Sequence, residues 1–349
     1  MVTLPTVHII GFGSIGGLIG VHLQCAGAAR VVPVLSSPAR AALFRELGCR
    51  ATLDSVHCPE KPPLSACFPA AVSTTELQER GRPIDHLLIT CKAQHTLAAL
   101  RPLWPLLHDG STIALLQNGL GVVESLRAEA SRHGILPTLF QGVVTHGAHR
   151  DSQWNLHHAG MGQLLLALLP RDSNSIMQDP AVVERARTSP LAAALLRTPL
   201  NVALLPYQEL LPRQLEKLVV NACINPLSAL LDCPNGALVA HRQLFAAIAA
   251  EASPVLRQAY SALFENTGIP PAADPDLLDP ERLSEKAAAV AVATASNSSS
   301  TREDVRAGRT TEIDFINGYI VDLAAATGLE PSRVRLNRAL QLLVHALRR

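Results

Sequence analysis

The stretch VHIIGFGSIGGLIGVHLQCAG near the N-terminus constrains the fold of this chain more than any other. A short β-branched run leads into Gly11, Phe12, Gly13, Ser14, Ile15 and Gly16, after which Leu18, Ile19 and Leu23 recur at helical spacing. A strand, a G-x-G-x-x-G turn and a helix in direct succession form the opening of a parallel α/β sheet that binds a dinucleotide. Gly11 permits the tight turn, Gly13 lets backbone approach a pyrophosphate, and Gly16 lets helix and strand pack closely. The anion rests on the helix N-terminus, where unpaired N–H groups and the macrodipole favour negative charge. Glycine-rich turns also simply close strands, but here a second strand, RVVPVLSS, completes the expected unit. The whole turn from Gly11 to Gly16 is therefore the candidate cofactor loop.

The end of that second strand bears on which dinucleotide binds. A site for NAD usually carries an acidic residue about 20 positions after the glycines, to hold the ribose 2′-hydroxyl. This chain has Leu35-Ser36-Ser37-Pro38-Ala39-Arg40 instead. Two hydroxyls and Arg40 suit a 2′-phosphate, which favours NADP(H); the alternative for Arg40 is a solvated cation at a helix start. Two more strands follow, in DHLLITCKAQHT and STIALLQNGLG. Ligands of open parallel sheets bind beyond the carboxyl ends of the strands, which makes Lys92 and Asn118 candidates for cofactor contact. A surface lysine and a turn-forming asparagine are the alternatives.

Between Thr52 and Pro83 the proline-rich CPEKPPLSACFPAAV reads as a loop excursion, with a short strand near Ala70 to Ser73. Residues from Pro137 to Pro170 read as antiparallel strands extending the sheet, with His146, His149, His157 and His158 as strand or turn residues. DPAVVERARTSPLAAALLRT is a helix or helix pair, and NVALLPY a last strand. After Pro206-Tyr207 every remaining segment favours helix: Leu211 to Leu231, Ala240 to Thr267, Pro280 to Val292, Ser300 to Gly308, Glu312 to Thr327 and Ser332 to Arg348. GIPPAADPDLLDP is the longest break. The expected organisation is a Rossmann-type α/β domain over residues 1–207 followed by an all-α substrate domain over residues 208–349.

Bulk properties narrow the function. A chain of 349 residues with 48% hydrophobic content supports two cores. A formal net charge of +1 and 3% aromatic residues provide neither the basic footprint nor the stacking rings of a nucleic-acid binder. The seven cysteines, Cys58 among them, are scattered without C-x-x-C, and the thirteen histidines lack H-x-x-x-H or H-E-x-x-H spacing. Reduced thiols and no metal are expected. No apolar run reaches the roughly 18 residues that span a bilayer, and MVTLPT leaves no room for a signal peptide before the first strand. The expected location is the cytoplasm.

Within the helical half, EKLVVNACINPLSALL places Lys217, Asn221 and Asn225 every fourth residue among apolar neighbours. On a helix these three share one face. They either crosslink buried helices, with Lys217 snorkelling outward, or present a proton donor and two amides to a carbonyl substrate. Pro226 cannot donate to the carbonyl of Ala222, so the helix kinks there or frees that carbonyl.

Taken together, these segments resemble the ketopantoate reductase family, the NADP-dependent 2-dehydropantoate 2-reductases. The resemblance runs in order through GFGSIGGLIG, TCKAQHT, LLQNGLG, KLVVNACINPLSAL and SNSSSTREDVRAGRTTEIDFINGYIV. It is carried most specifically by K-x-x-x-N-x-x-x-N-P-L and the later S-x(11)-E-I-D-x-x-N-G. It implies that Lys217 is the general acid, that Glu312 works with it, and that Asn221 and Asn225 organise the substrate pocket. Asn297 and Ser300 match substrate-binding positions, while Lys92 and Asn118 match residues near the cofactor. Bacterial members often carry an arginine where Ser36-Ser37 stand here, and the nearest arginine is Arg40. The implied reaction is NADPH-dependent reduction of a small 2-oxo acid, ketopantoate, in pantothenate biosynthesis, with a homodimer as a candidate assembly. A paralogue acting on another oxo acid and a non-catalytic NADP(H)-binding regulator are the rival readings.

Overall fold

The apolar run Thr6–Ile10 forms strand β1 and Ser14–Cys25 forms helix α1, so the glycine turn joins a strand to a helix. In the computed structural model, residues 4–56, 60, 62–171, 175–176, 178–179, 181–265 and 274–347 are described. Cys58, Thr267, Arg348, part of the proline-rich stretch and the start of GIPPAADPDLLDP lie outside the described residues. The later strands are β2 (Arg30–Leu35), β3 (Arg50–Ser55), β4 (Leu64–Cys67), β5 (Val72–Ser73), β6 (His86–Ile89), β7 (Thr112–Leu115) and β8 (Thr138–Val144). Strands β9 (Gly147–Arg150), β10 (Asn155–Gly160), β11 (Leu164–Leu168) and β12 (Val202–Leu204) complete the set. Helices α2 (Pro38–Glu46), α3 (Thr74–Arg80), α4 (Thr96–Leu100), α5 (Val122–Arg132), α6 (Ala181–Arg187) and α7 (Pro190–Leu196) lie between them.

The main sheet has the order β12-β11-β8-β7-β6-β1-β2-β5. β1 pairs in parallel with both β2 and β6, so the chain leaves β1 to one side and later returns to the other. That reversal opens a crevice at the carboxyl ends of β1 and β6, where ligands of such sheets bind. Val7, Ile9, Val31, Leu87, Leu88, Ile113 and Ala114 are all fully buried. The strands therefore read as apolar runs without alternation, as expected for a parallel sheet buried on both faces.

A second sheet, of order β4-β3-β10-β9, corrects the expectation of a loop excursion and of a single extended sheet. The short strand anticipated near Ala70 to Ser73 is β5, on the edge of the main sheet. β3 and β4, however, form an antiparallel pair, and β10 joins β3 in parallel. Only β8 and β11 of the segment from Pro137 to Pro170 enter the main sheet, and β8 runs parallel to β7. The partner choice is set by distant contacts that local periodicity does not encode. Thr52 Oγ1 donates to Asn155 Oδ1 at 2.7 Å, and His157 Nδ1 meets the Asp54 carboxylate at 2.8 Å. Trp154 and Leu156 are buried in the same core as α1.

Met1–Gln117 with Val123–Leu210 form one compact unit, and Asn118–Val122 with Leu211–Arg349 form the other. The second is built on α8 (Tyr207–Leu230), α9 (Arg242–Ala259), α10 (Pro280–Ala293), α11 (Ser300–Arg306), α12 (Asn317–Ala326) and α13 (Arg335–Ala346). Helix α9 packs against α10, α12 and α13, burying Phe245, Ile248, Ala252 and Leu256. Helix α8 continues through Pro226, and the freed Ala222 carbonyl accepts a hydrogen bond from Asn317 Nδ2 at 3.2 Å. Asn317 is fully buried and also donates to Asn337 Oδ1 at 3.0 Å, while Asn337 Nδ2 donates to Glu251 at 2.9 Å. A buried amide chain thus satisfies the backbone acceptor that the proline exposes.

Candidate active site

In the first unit the glycine loop shows three different demands. Gly11 has φ +87°, and a Cβ there would lie 2.2 Å from Cys91 N, just beyond β6. At Gly16 a Cβ would meet Gly11 O and Thr90 Oγ1, each at 2.4 Å. Both glycines are therefore required by the protein's own packing. Gly13 differs, because its nearest neighbour would be Gly11 O at 3.8 Å. Space over Gly13 is open, and as N-cap of α1 it provides no side-chain oxygen to the helix's first N–H groups. An uncapped helix start beneath open backbone fits a bound phosphate group. Phe12 is buried, whereas Ser14 and Ile15 are half-buried on the first turn of α1.

At the end of β2, Ser36 is exposed and Ser37 caps α2 by accepting from the Arg40 N–H at 3.3 Å. The Arg40 side chain is exposed, with its guanidinium 5.7 Å from the centre of the Trp154 ring. Lys92 is half-buried and comes shortly after β6, next to Cys91, whose backbone Gly11 abuts. Trp154 was not anticipated. Its indole N–H donates to Phe12 O at 3.2 Å and so ties the second sheet to the glycine loop.

The second unit assembles the other candidates. Along α8, Leu218, Val219, Ala222, Cys223 and Ile224 are buried, while Lys217 and Asn221 are half-buried and Asn225 is 8% exposed. Among the described residues, neither the Asn221 nor the Asn225 side-chain amide hydrogen-bonds to another protein group. They do not crosslink helices, which leaves them available to a ligand. Burial lowers the Lys217 ammonium from its ordinary 10.5 to about 8, and the Glu312 carboxylate opposes that shift. Glu312 is 7% exposed and precedes the turn Ile313–Phe315. A carboxylate that favours the protonated amine keeps a proton on a partly desolvated lysine.

The same turn holds the loop carrying Asn118. Leu120 N donates to Phe315 O at 3.1 Å, and Gly119, at φ +83°, lies where a Cβ would be 2.6 Å from Phe315 Cβ. Asn118 itself is half-buried. Asn118 and Glu312 are therefore mounted on one packed joint, a link that sequence order conceals.

Asn297 and Ser300 are exposed. Asn297 lies in a turn closed by its N–H to Thr294 O at 2.9 Å and by its carbonyl accepting from Asn235 N at 3.0 Å. Ser300 opens α11, whose N-cap Ser299 meets Ser228 Oγ at 2.5 Å. Ser228 is three residues beyond Asn225 on α8, so this contact fastens the start of α11 to the end of the polar stripe. Arg302 and Arg306 both donate to the Asp232 carboxylate, at 2.9 and 2.8 Å, and hold it down to about 2. Ser228, Ser299 and Asp232 thus set Ser300 beside α8; polar residues at a helix end were the only available sequence signal. No group of three or more His, Cys, Asp or Glu among the described residues is arranged to hold a metal. No helix among them is long and apolar enough to cross a membrane.

Two family models match the chain: "Ketopantoate reductase PanE/ApbA" over residues 7–171 and "Ketopantoate reductase PanE/ApbA C terminal" over residues 209–348. The 2-dehydropantoate 2-reductase of Saccharomyces cerevisiae is 33% identical, covering 96% of this chain and 92% of that protein. The enzyme of the same name from Vibrio cholerae is 31% identical, covering 90% of this chain and 89% of its own. Among solved structures, D-mandelate dehydrogenase with NADH and anilino(oxo)acetate shares the fold, with a TM-score of 0.76 and 20% identity over 98% of both chains.

Proposed function

The chain belongs to the ketopantoate reductase PanE/ApbA family, and from that premise we propose that it reduces 2-dehydropantoate to pantoate with NADPH. The observation that carries the reading is the α8 stripe: a lysine lowered to about 8 on the same face as two amides without protein partners. The chemistry that NADPH would supply when bound is a hydride for the keto carbon, and the chain's task is to manage the charge that appears on the carbonyl oxygen. Lys217 is the group that stabilises this oxygen and transfers a proton to it, becoming neutral and regaining a proton from water.

The lowered pKa suits that role. At neutral pH Lys217 is still mostly protonated, yet it releases a proton more readily than an ordinary lysine. Glu312 prevents burial from discharging the amine altogether, so it is a positioning and charge-balancing residue. Asn221 and Asn225 orient the substrate through their amides, and Ser300 with Asn297 receives its carboxylate or hydroxyl end. Gly13 and the start of α1 would hold the pyrophosphate. Lys92, Ser36 and Arg40 of the first unit would help to hold the cofactor, as would Asn118 of the second.

The test is Lys217→Ala. Turnover should fall by roughly 100-fold or more, the usual scale for a general acid, while NADPH affinity measured by fluorescence titration stays within a fewfold of the parent. Near-parental turnover would remove Lys217 from the chemistry.

A further inference from the structure

Two arginines meet the ring of Trp154. The Arg150 guanidinium, at the end of β9, is 5.2 Å from the ring centre, and that of Arg40, near the start of α2, is 5.7 Å from it. Trp154 is 1% exposed, adopts φ +59°, and is held to the glycine loop through its bond to Phe12 O. The ring therefore forms a fixed platform between the loop and the end of β2.

The Asp151 charge compensates Arg150 only from a distance. Among the described residues neither forms an ion pair with a carboxylate. The adjacent Asp151 carboxylate is committed to the N–H groups of Gln153 and Asn155 and to Asn155 Nδ2, at 2.8, 3.0 and 2.7 Å. Arg150 uses Nη1 to reach Asp151 O at 2.6 Å. Burial and then the charge of Arg40 disfavour its protonated form, and the Asp151 charge offsets them only in part. Stacking on an aromatic face offsets only part of such a cost. Two like charges gathered on one aromatic ring, neither in an ion pair with a carboxylate among the described residues, are the arrangement expected of a receptor for a multiply charged anion.

The location identifies the anion. In a dinucleotide laid on the glycine loop, the adenosine ribose lies at the end of the second strand, where arginine accepts a 2′-phosphate. We propose that Arg150, supplied by the second sheet, joins Arg40 on Trp154 to clamp the 2′-phosphate of NADPH and so sets the preference over NADH. This inference rests on the dinucleotide-binding reading. It accounts for the absence of an arginine at Ser36-Ser37: the charge comes from α2 and from a separate sheet.

The experiment is isothermal titration of the full chain with 2′,5′-ADP and with 5′-ADP. The parent should bind 2′,5′-ADP at least tenfold more tightly, and Arg150→Gln should lose most of that advantage while its 5′-ADP affinity is unchanged. Arg150→Lys, which retains the charge but not the planar fork, should fall between them; it also provides the readout should the glutamine variant fail to fold. Unchanged discrimination in either folded variant would overturn the clamp. Equal affinity of the parent for both nucleotides would overturn it too, whereas binding of neither would refute the dinucleotide reading itself.

Discussion

If Lys217 is the acid, reduction must fail as the lysine loses its proton. With a pKa of about 8, roughly nine-tenths of the amine is charged at pH 7 and about one-tenth at pH 9. The rate of ketopantoate reduction, measured as kcat/KM by NADPH absorbance, should therefore drop about fivefold to tenfold between pH 7 and pH 9, with a limiting slope of one proton. A lysine at its ordinary 10.5 would remain almost fully charged over that range and give a flat profile. Glu312→Gln sharpens the test. Because the carboxylate raises the Lys217 pKa against burial, its neutralisation should move the alkaline limb to lower pH, and activity lost at pH 7.5 should return on acidification. A flat parental profile, or a variant whose limb moves upward, would refute the coupling.

The same titration is linked to stability. The unfolded chain keeps this proton up to its ordinary lysine pKa, whereas the folded chain releases it near 8, so between those values the unfolded state binds more protons. The penalty is complete below pH 8 and is relieved as pH rises through that window, on the order of 3 kcal/mol in total.

Two further predictions concern the frame. Gly13→Ala should fold normally but weaken NADPH binding at least tenfold, because its Cβ occupies open space meant for the ligand; Gly11→Ala should cost several kcal/mol in urea denaturation through its collision with Cys91 and its left-handed backbone. Asn317→Leu should lower the urea unfolding free energy by about 1–3 kcal/mol, since it strands the Ala222 carbonyl inside the core; an unchanged midpoint would mean that this carbonyl finds another donor.

Much of the fold was legible because its signals are local. The glycine turn, the apolar runs of β1, β6 and β7, and the helical half each follow from periodicity within a short window. The second sheet was not legible, because β3 and β10 are joined by Thr52–Asn155 and Asp54–His157 pairs 103 positions apart in the sequence. The site followed the same division. Lys217, Asn221 and Asn225 are visible as a stripe since they share one helix, but the mounting of Asn118 on the turn after Glu312 and the meeting of Arg40 with Arg150 depend on tertiary contacts. Pro226 was visible as a break; its neutralisation by Asn317 was not.

The most direct test of the central claim is NADPH oxidation by the purified chain with ketopantoate as substrate, run beside NADH and a panel of other small 2-oxo acids. The account predicts stoichiometric NADPH consumption, with ketopantoate giving the highest kcat/KM and NADH a much lower one. Tight NADPH binding without turnover on ketopantoate would contradict it.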